Sequence, residues 1–228
     1  MWQRIKNVYH LGNAFIANLW FGFPSKGLTV IGVTGTDGKT TTVSLIYHIL
    51  HTAGYSASMI SSVGAVIGGK EYDVGFHVTT PSPWALQAFI KKSQGSPRPL
   101  IDSSSSSLDR SSVLARANDS KHVSKEELFK RSFRGEARPS LAIHNYLVLE
   151  VTSHAIDQNR IWGITFDIGV LTNITHEHLD YHKTYENYVN TKAKLLKMAR
   201  VAVVNRDDNS YELISKVKSQ TSKPQLKT

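Results

Sequence analysis

The stretch GVTGTDGKTTT, residues 32–42, decides how this chain is read. It follows a short β-branched apolar run, TVIGV at residues 29–33, and precedes Val43, Ile46, Tyr47 and Leu50 at helical spacing, so it sits between a strand and a helix. In that setting Gly35 and Gly38 let backbone N–H groups turn toward phosphate oxygens, and the helix presents its positive end to the same anion. Lys39 supplies a mobile cation and Thr40 a hydroxyl for Mg²⁺. The competing reading is a Gly/Thr turn with an exposed lysine, but the strand–loop–helix order favours a phosphate loop. The usual spacing would demand glycine at position 33, where this chain has Val33; Gly32 falls one residue early.

Outward from the loop, Gly54 is expected to close the helix, and SASMISSV (56–63) to form the next strand. A turn at Gly68 and Gly69 separates two short strands, and Ser82 caps a helix with Pro83 in its first turn and Trp84, Leu86, Phe89 and Ile90 along it. Residues 93–145, with Pro97, Pro99 and the serine run 103–107, change texture and are expected to be a largely disordered insertion, with a brief helix from Lys125. Apolar strands resume at YLVLEV (146–151), DIGVLTN (167–173) and VAVVN (201–205), with a helix at 185–198 before the last. Strands alternating with helices imply an α/β fold with a mainly parallel sheet covered on both faces. Residues 1–26 read as a separate helical segment. Its Ile5, Val8, Phe15, Ile16 and Leu19 are expected to dock on the core, or less readily to rest on a membrane surface.

With no cysteine among 228 residues, disulfides, thiolate metal sites and cysteine nucleophiles are excluded. The apolar stretch 8–23 is broken by His10, Asn13 and Asn18, which argues against a membrane span, and a cytoplasmic protein is expected. The net charge of +9 is spread over residues 93–145 and the lysine-rich tail. No nucleic-acid-binding signature accompanies it, so a solvated tail is the simpler reading and nucleic acid is not expected as a partner.

Two more clusters carry chemistry. Glu150 ends a strand at the edge where open α/β sheets bind ligands, with Thr152, Ser153 and His154 directly after it, and its carboxylate suits Mg²⁺. NITHEHLDYH (173–182) packs three histidines and two acids after another strand, as a metal- or phosphate-binding constellation would. His176, His178 and Asp180 also resemble a hydrolase zinc motif, but Tyr181 stands where that motif needs histidine.

Together these residues resemble the Mur ligase family, and most closely its branch that adds the third residue of the peptidoglycan stem peptide. The resemblance rests on GVTGTDGKTTT, HVTTPSPWALQ (77–87), LEVTSHAIDQNR (149–160), LTNITHEHLDYH (171–182) and Tyr188-x-x-x-Lys192, in the family's order. It implies the family's central ATP-binding domain over residues 27–92 and 146–228. The family's uridine-binding and amino-acid-binding domains have no counterpart here, so an incomplete ligase is expected. Gly35, Thr36, Asp37, Gly38, Lys39, Thr40 and Thr41 would hold ATP. Thr40 and Glu150 would hold one Mg²⁺ and His178 a second, which a carbamylated Lys192 would support. Thr79, Thr80, Thr152, Ser153, Gln158 and Arg160 would contact a UDP-N-acetylmuramoyl-peptide, to which an amino acid is joined through an acyl phosphate. Lys39, Glu150, His178 and Lys192 would carry the catalysis. Folylpolyglutamate synthetases share the first and fourth stretches and form the second reading, disfavoured by Thr79-Thr80-Pro81 and the run 155–160. A non-catalytic nucleotide-binding protein is the third.

Overall fold

The structure, a computed structural model, describes residues 2–74, 80–95, 145–219 and 225–227. A helix, α1 (Trp2–Phe21), and a short 3₁₀ turn (Pro24–Gly27) lead into β1 (Thr29–Thr34), followed by α2 (Lys39–Thr52) and β2 (Ser56–Ser61). The hairpin β3 (Gly64–Ile67) and β4 (Lys70–Tyr72) turns at Gly68 and Gly69, both at positive φ (59° and 74°), a backbone that glycine adopts without strain. Next come α3 (Pro83–Gln94), β5 (Asn145–Glu150), α4 (Ser153–Asp157), β6 (Phe166–Leu171), α5 (Leu179–His182), α6 (Tyr185–Met198), β7 (Ala199–Val204), α7 (Tyr211–Ser219) and β8 (Gln225–Lys227).

The sheet runs β4-β3-β2-β5-β1-β6-β7-β8. All neighbours are parallel except the two pairings of the β3–β4 hairpin edge. β1 lies between β5 and β6, with Val33 opposite Glu150 and Thr34 opposite Leu171. On one face α2 packs Val43 and Tyr47 over Ile31, Val33 and Val148. On the other, Leu86 and Ile90 of α3, Ala155 and Ile156 of α4 and Leu195 of α6 cover Val30, Leu147, Leu149 and Phe166. Each such large side chain, once fully buried, contributes roughly 1.5–3 kcal/mol. Gly32 belongs to this packing: a Cβ there would lie 2.7 Å from the Phe166 ring and 3.1 Å from Leu195. Its place one residue early in the loop pattern thus reflects room for a neighbouring ring.

α1 docks differently from expectation. Val8, Ile16 and Leu19 are exposed, Phe15 is half-exposed with its ring against Trp162, and the buried part of the contact is made by Ala14, Ala17 and Asn18. Asn18 fits there because its neighbour is Gly163, where a Cβ would lie 2.6 Å from the Asn18 side chain. No helix among the described residues is long and apolar enough to cross a membrane.

Ser93 and Gln94 finish α3 and Asn145 opens β5, so the outer residues of the segment read as an insertion belong to regular elements. Gly95 caps α3, and residues 96–144, with the helix expected from Lys125, lie outside the described residues, as do Thr79 and part of the tail. The Asn145 side-chain amide donates to the Gln94 carbonyl at 2.7 Å, so the two flanks are directly joined. Loop-closure cost rises by only about 0.6 kcal/mol per doubling of loop length. Replacing residues 96–144 by a short Gly/Ser linker should therefore leave a single cooperative thermal transition with nearly the same midpoint. Loss of that transition in calorimetry would show that the segment contributes to the core.

Candidate active site

Because β5, β1 and β6 are adjacent and parallel, the three sequence clusters that follow them emerge at one edge of the sheet. After β1, Gly38 sits at φ 71° as the N-cap of α2, and a Cβ there would meet nothing within 4 Å, leaving the approach to the helix N-terminus open. The loop is held from beneath. Thr36 N–H donates to the Asn173 carbonyl and Asp37 N–H to Asn173 Oδ1, both at 2.9 Å, while Thr172 Oγ1 donates to the Asp37 carbonyl at 2.7 Å. Thr175 N–H donates to Thr36 Oγ1 at 3.0 Å, and the Tyr188 hydroxyl lies 3.3 Å from the same oxygen. Lys39 Nζ donates to the Thr36 carbonyl at 2.6 Å, and Thr41 follows Thr40 in the first turn of α2.

Beside the loop, Thr40 Oγ1 donates to Glu150 Oε2 at 2.9 Å, and the Ser62 N–H donates to the same carboxylate oxygen at 3.0 Å. Glu150 is 2% exposed and has no ion-pair partner among the described residues. A buried carboxylate next to a threonine hydroxyl, with oxygen donors only, fits a hard cation such as Mg²⁺.

The histidine-rich run does not gather into one metal centre. No group of three or more His, Asp or Glu among the described residues is placed to hold an ion. The reason is a backbone reversal: His178 takes a left-handed conformation (φ 55°) and starts α5, which sends its neighbours apart. His176 stacks on Tyr185, with ring centres 4.4 Å apart, whereas His182 turns inward to lie 3.0 Å from Ser153 Oγ. Burial, with His154 nearby, pushes the His182 imidazole down to about 4. The His178 ring lies 6.0 Å from Tyr188 and 5.4 Å from His154, and the His182 ring lies 4.9 Å and 5.8 Å from the same two residues.

Lys192 is 1% exposed beneath the loop. Its Nζ donates to the Gly35 carbonyl and lies 4.5 Å from the Tyr188 ring centre. Burial, reinforced by Lys39, brings the amine down to about 7, so a large fraction is neutral near physiological pH.

At the β5 end, the Thr80 and Thr152 hydroxyls are 3.2 Å apart, and Thr152 Oγ1 also accepts from Ala155 N–H at 3.2 Å as the N-cap of α4. Arg160 Nη1 donates to the Thr80 carbonyl at 3.3 Å, and Gln158 bonds to the Tyr181 side chain. Ser153 is buried and faces His182. Asp157, which the sequence reading passed over, accepts from the Tyr181 hydroxyl at 2.8 Å and from Asn7 of α1 at 3.4 Å. Its position between the site residues Ser153 and Arg160 was the available signal.

A mainly parallel sheet with a phosphate loop after its central strand and a buried oxygen-donor pair beside it defines a phosphate-loop α/β protein. The family model described as the Mur ligase middle domain matches residues 33–117 and 136–227, and the chain belongs to the Mur ligase family. Among its relatives, a UDP-N-acetylmuramoyl-L-alanyl-D-glutamate--2,6-diaminopimelate ligase of Clostridium botulinum is 31% identical over 203 residues, covering 89% of this chain and 32% of the relative. A UDP-N-acetylmuramyl-tripeptide synthetase of Deinococcus radiodurans is 34% identical over 188 residues, covering 82% and 29%. The chain thus spans about a third of the length of the curated relatives it matches. A solved structure of a 2,6-diaminopimelate ligase matches with a TM-score of 0.54 at 23% identity, over 87% of this chain and 31% of that one. E. coli FolC, in complex with DHPP and ADP, matches with a TM-score of 0.54 at 19% identity, over 95% and 46%. These two likenesses show a shared fold.

The Lys192 environment has a measurable consequence. Its amine titrates near 7 when folded and near 10.5 when free, so between those values the unfolded chain binds more protons than the folded one. Its contribution to stability therefore rises with pH across that window and is lost as pH falls toward about 7. Denaturant unfolding of wild type and Lys192→Met at several pH values should show the two stabilities diverging upward with pH in the wild type's favour. Parallel profiles would mean that the amine is not buried as described.

Proposed function

We propose that the chain is the ATP-handling core of a ligase that joins an amino acid to a UDP-N-acetylmuramoyl-peptide in peptidoglycan synthesis, in the cytoplasm. The observation that carries this reading is the Thr40–Glu150 pair beside the loop, with the Thr80–Thr152–Arg160 group on the neighbouring strand end. The relatives' names supply the substrate class. In this reading, the loop N–H groups and Lys39 hold the nucleotide phosphates, and Thr40 and Glu150 hold Mg²⁺. His178 lies toward a second cation site. The cations, when bound, offset the negative charge that gathers as two anions approach. Thr80, Thr152, Gln158 and Arg160, with Thr79 before them, orient the muramoyl-peptide. Ser153 supports them through His182.

The substrate carboxylate attacks the γ-phosphorus of ATP, forming a carboxyl–phosphate bond as the bond to ADP breaks. The amino group of the incoming amino acid then attacks the acyl carbon, the C–N bond of an amide forms, phosphate leaves with the electron pair of the broken C–O bond, and the proton lost by the amine ends on the departing phosphate. The chain's own part is positioning and charge neutralisation.

Lys192 has a separate role in this proposal: its neutral amine attacks CO₂, a C–N bond forms, and the proton goes to solvent, leaving a carbamate. The cation becomes a carboxylate-like anion able to support the second metal. Protein equilibrated with ¹³C-bicarbonate should show a carbamate resonance that is missing in Lys192→Met, and a wild-type spectrum without it would sink this part of the proposal.

The nucleotide reading is tested by calorimetric titration of Mg-ATP into the full chain. A charge-assisted contact is worth about 1.5–3 kcal/mol, so Lys39→Ala should weaken binding at least roughly tenfold. Glu150→Gln should reduce the Mg²⁺ dependence of binding more than the affinity for metal-free nucleotide. A folded wild-type chain that gives no heat with Mg-ATP would refute the reading.

A further inference from the structure

α1 lies against the part of the chain that the proposed function assigns to the muramoyl-peptide. Asn18 Nδ2 donates to the Trp162 carbonyl at 2.6 Å and to the Ala14 carbonyl at 2.9 Å. Phe15 packs on Trp162 with ring centres 5.5 Å apart, and Gly163 admits the Asn18 side chain where any Cβ would collide. About three turns earlier, Asn7 Nδ2 donates to Asp157 Oδ2 at 3.4 Å. The helix is therefore pinned on both sides of Arg160. Asn7, His10, Ala14 and Asn18 recur at three- and four-residue spacing, so His10 lies on the same stripe as these anchors.

Among the described residues the Arg160 guanidinium makes one hydrogen bond, to the Thr80 carbonyl, and its Nε is buried without a hydrogen-bond partner. A guanidinium has five N–H donors, so most of its donor capacity is unused among the described residues. The charges acting on His10 are Arg160 and Lys6, both cationic. Asp157, three residues before Arg160, is engaged by Tyr181, Asn7 and Lys194. Donors and positive charge thus converge where no described carboxylate offsets them, an arrangement that an anionic oxygen group completes.

We propose that α1 is one wall of the substrate site, and that His10 and Arg160 together receive an anionic group of the nucleotide-linked substrate. This rests on the reading of the chain as a muramoyl-peptide ligase core. The group is either the diphosphate or a carboxylate of the peptide, since both present the same oxygen acceptors. His10 acts as a donor, so glutamine at this position preserves the interaction and alanine removes it.

The test is calorimetric titration of the full chain with UDP-N-acetylmuramoyl-L-alanyl-D-glutamate, with UDP-N-acetylglucosamine, and with the muramoyl dipeptide lacking UDP. His10→Ala should weaken binding of the first ligand about tenfold, the loss of one charge-assisted contact, while His10→Gln stays near wild type. Mg-ATP binding, measured in the same samples, should be unchanged in both variants and so reports that they are folded. A parallel loss with UDP-N-acetylglucosamine assigns the contact to the diphosphate; a parallel loss with the UDP-free dipeptide assigns it to the carboxylates. If the wild type binds the first ligand and His10→Ala binds it equally well, α1 is a structural strut and the inference is overturned. If the wild type binds Mg-ATP but none of the three ligands, the substrate reading itself falls, and this inference with it.

Discussion

The parallel pairing of β5, β1 and β6 is the constraint on which the site depends. Residues 33, 150 and 171 are far apart in sequence, yet ladder register sets Val33 beside Glu150 and Thr34 beside Leu171. Each strand then releases its polar continuation at the same height, and side chains complete what the ladder begins. Asn173 and Thr172 grip the loop from the β6 side, and Lys192 props it from below through the Gly35 carbonyl. Because the sheet interior is packed on both faces, a shift of one strand would move the loop, the carboxylate or the histidine run relative to the other two. The relative placement of these three polar segments is thus set by backbone hydrogen bonding.

Burial decides which polar groups are supports and which face a ligand. His182 and Ser153 satisfy each other inside the structure, joining the segment after β5 to the segment after β6. Lys192 is deeper still, where desolvation makes the charged form costly and favours a neutral amine. Glu150, by contrast, is a buried carboxylate met among the described residues by a hydroxyl and an N–H. Such a group is a natural ligand for a cation, since neutral donors alone offset a buried negative charge incompletely.

Much of this was legible in the sequence. The short β-branched runs, the Ser82-Pro83 helix start and the Gly68-Gly69 turn each act through local backbone preferences, and the structure has strands, helix and turn at those places. The strand-end positions of the loop and of Glu150 followed from the same periodicity. What escaped was non-local. The docking face of α1 could not be found from its apolar residues alone, because part of it is Asn18, whose partners are the Trp162 carbonyl and Gly163, distant in sequence. The histidine run looked like one centre because composition cannot show that His178 reverses the backbone and sends His176 and His182 to different neighbours. Asp157 was missed for a similar reason, as its partners come from α1, α5 and α6.

The hydrogen bond between Gln94 and Asn145 lies at the beginning of β5, whereas Glu150 lies at its end. At about 3.3 Å per residue the strand separates the two by roughly 17 Å of hydrogen-bonded backbone. Chain of any length can leave and re-enter at that junction without altering the register that builds the opposite edge. This makes the Gln94–Asn145 junction a permissive graft point: a reporter domain or affinity handle spliced there would ride on the far rim of the sheet, tethered to the protein yet mechanically insulated from its phosphate loop.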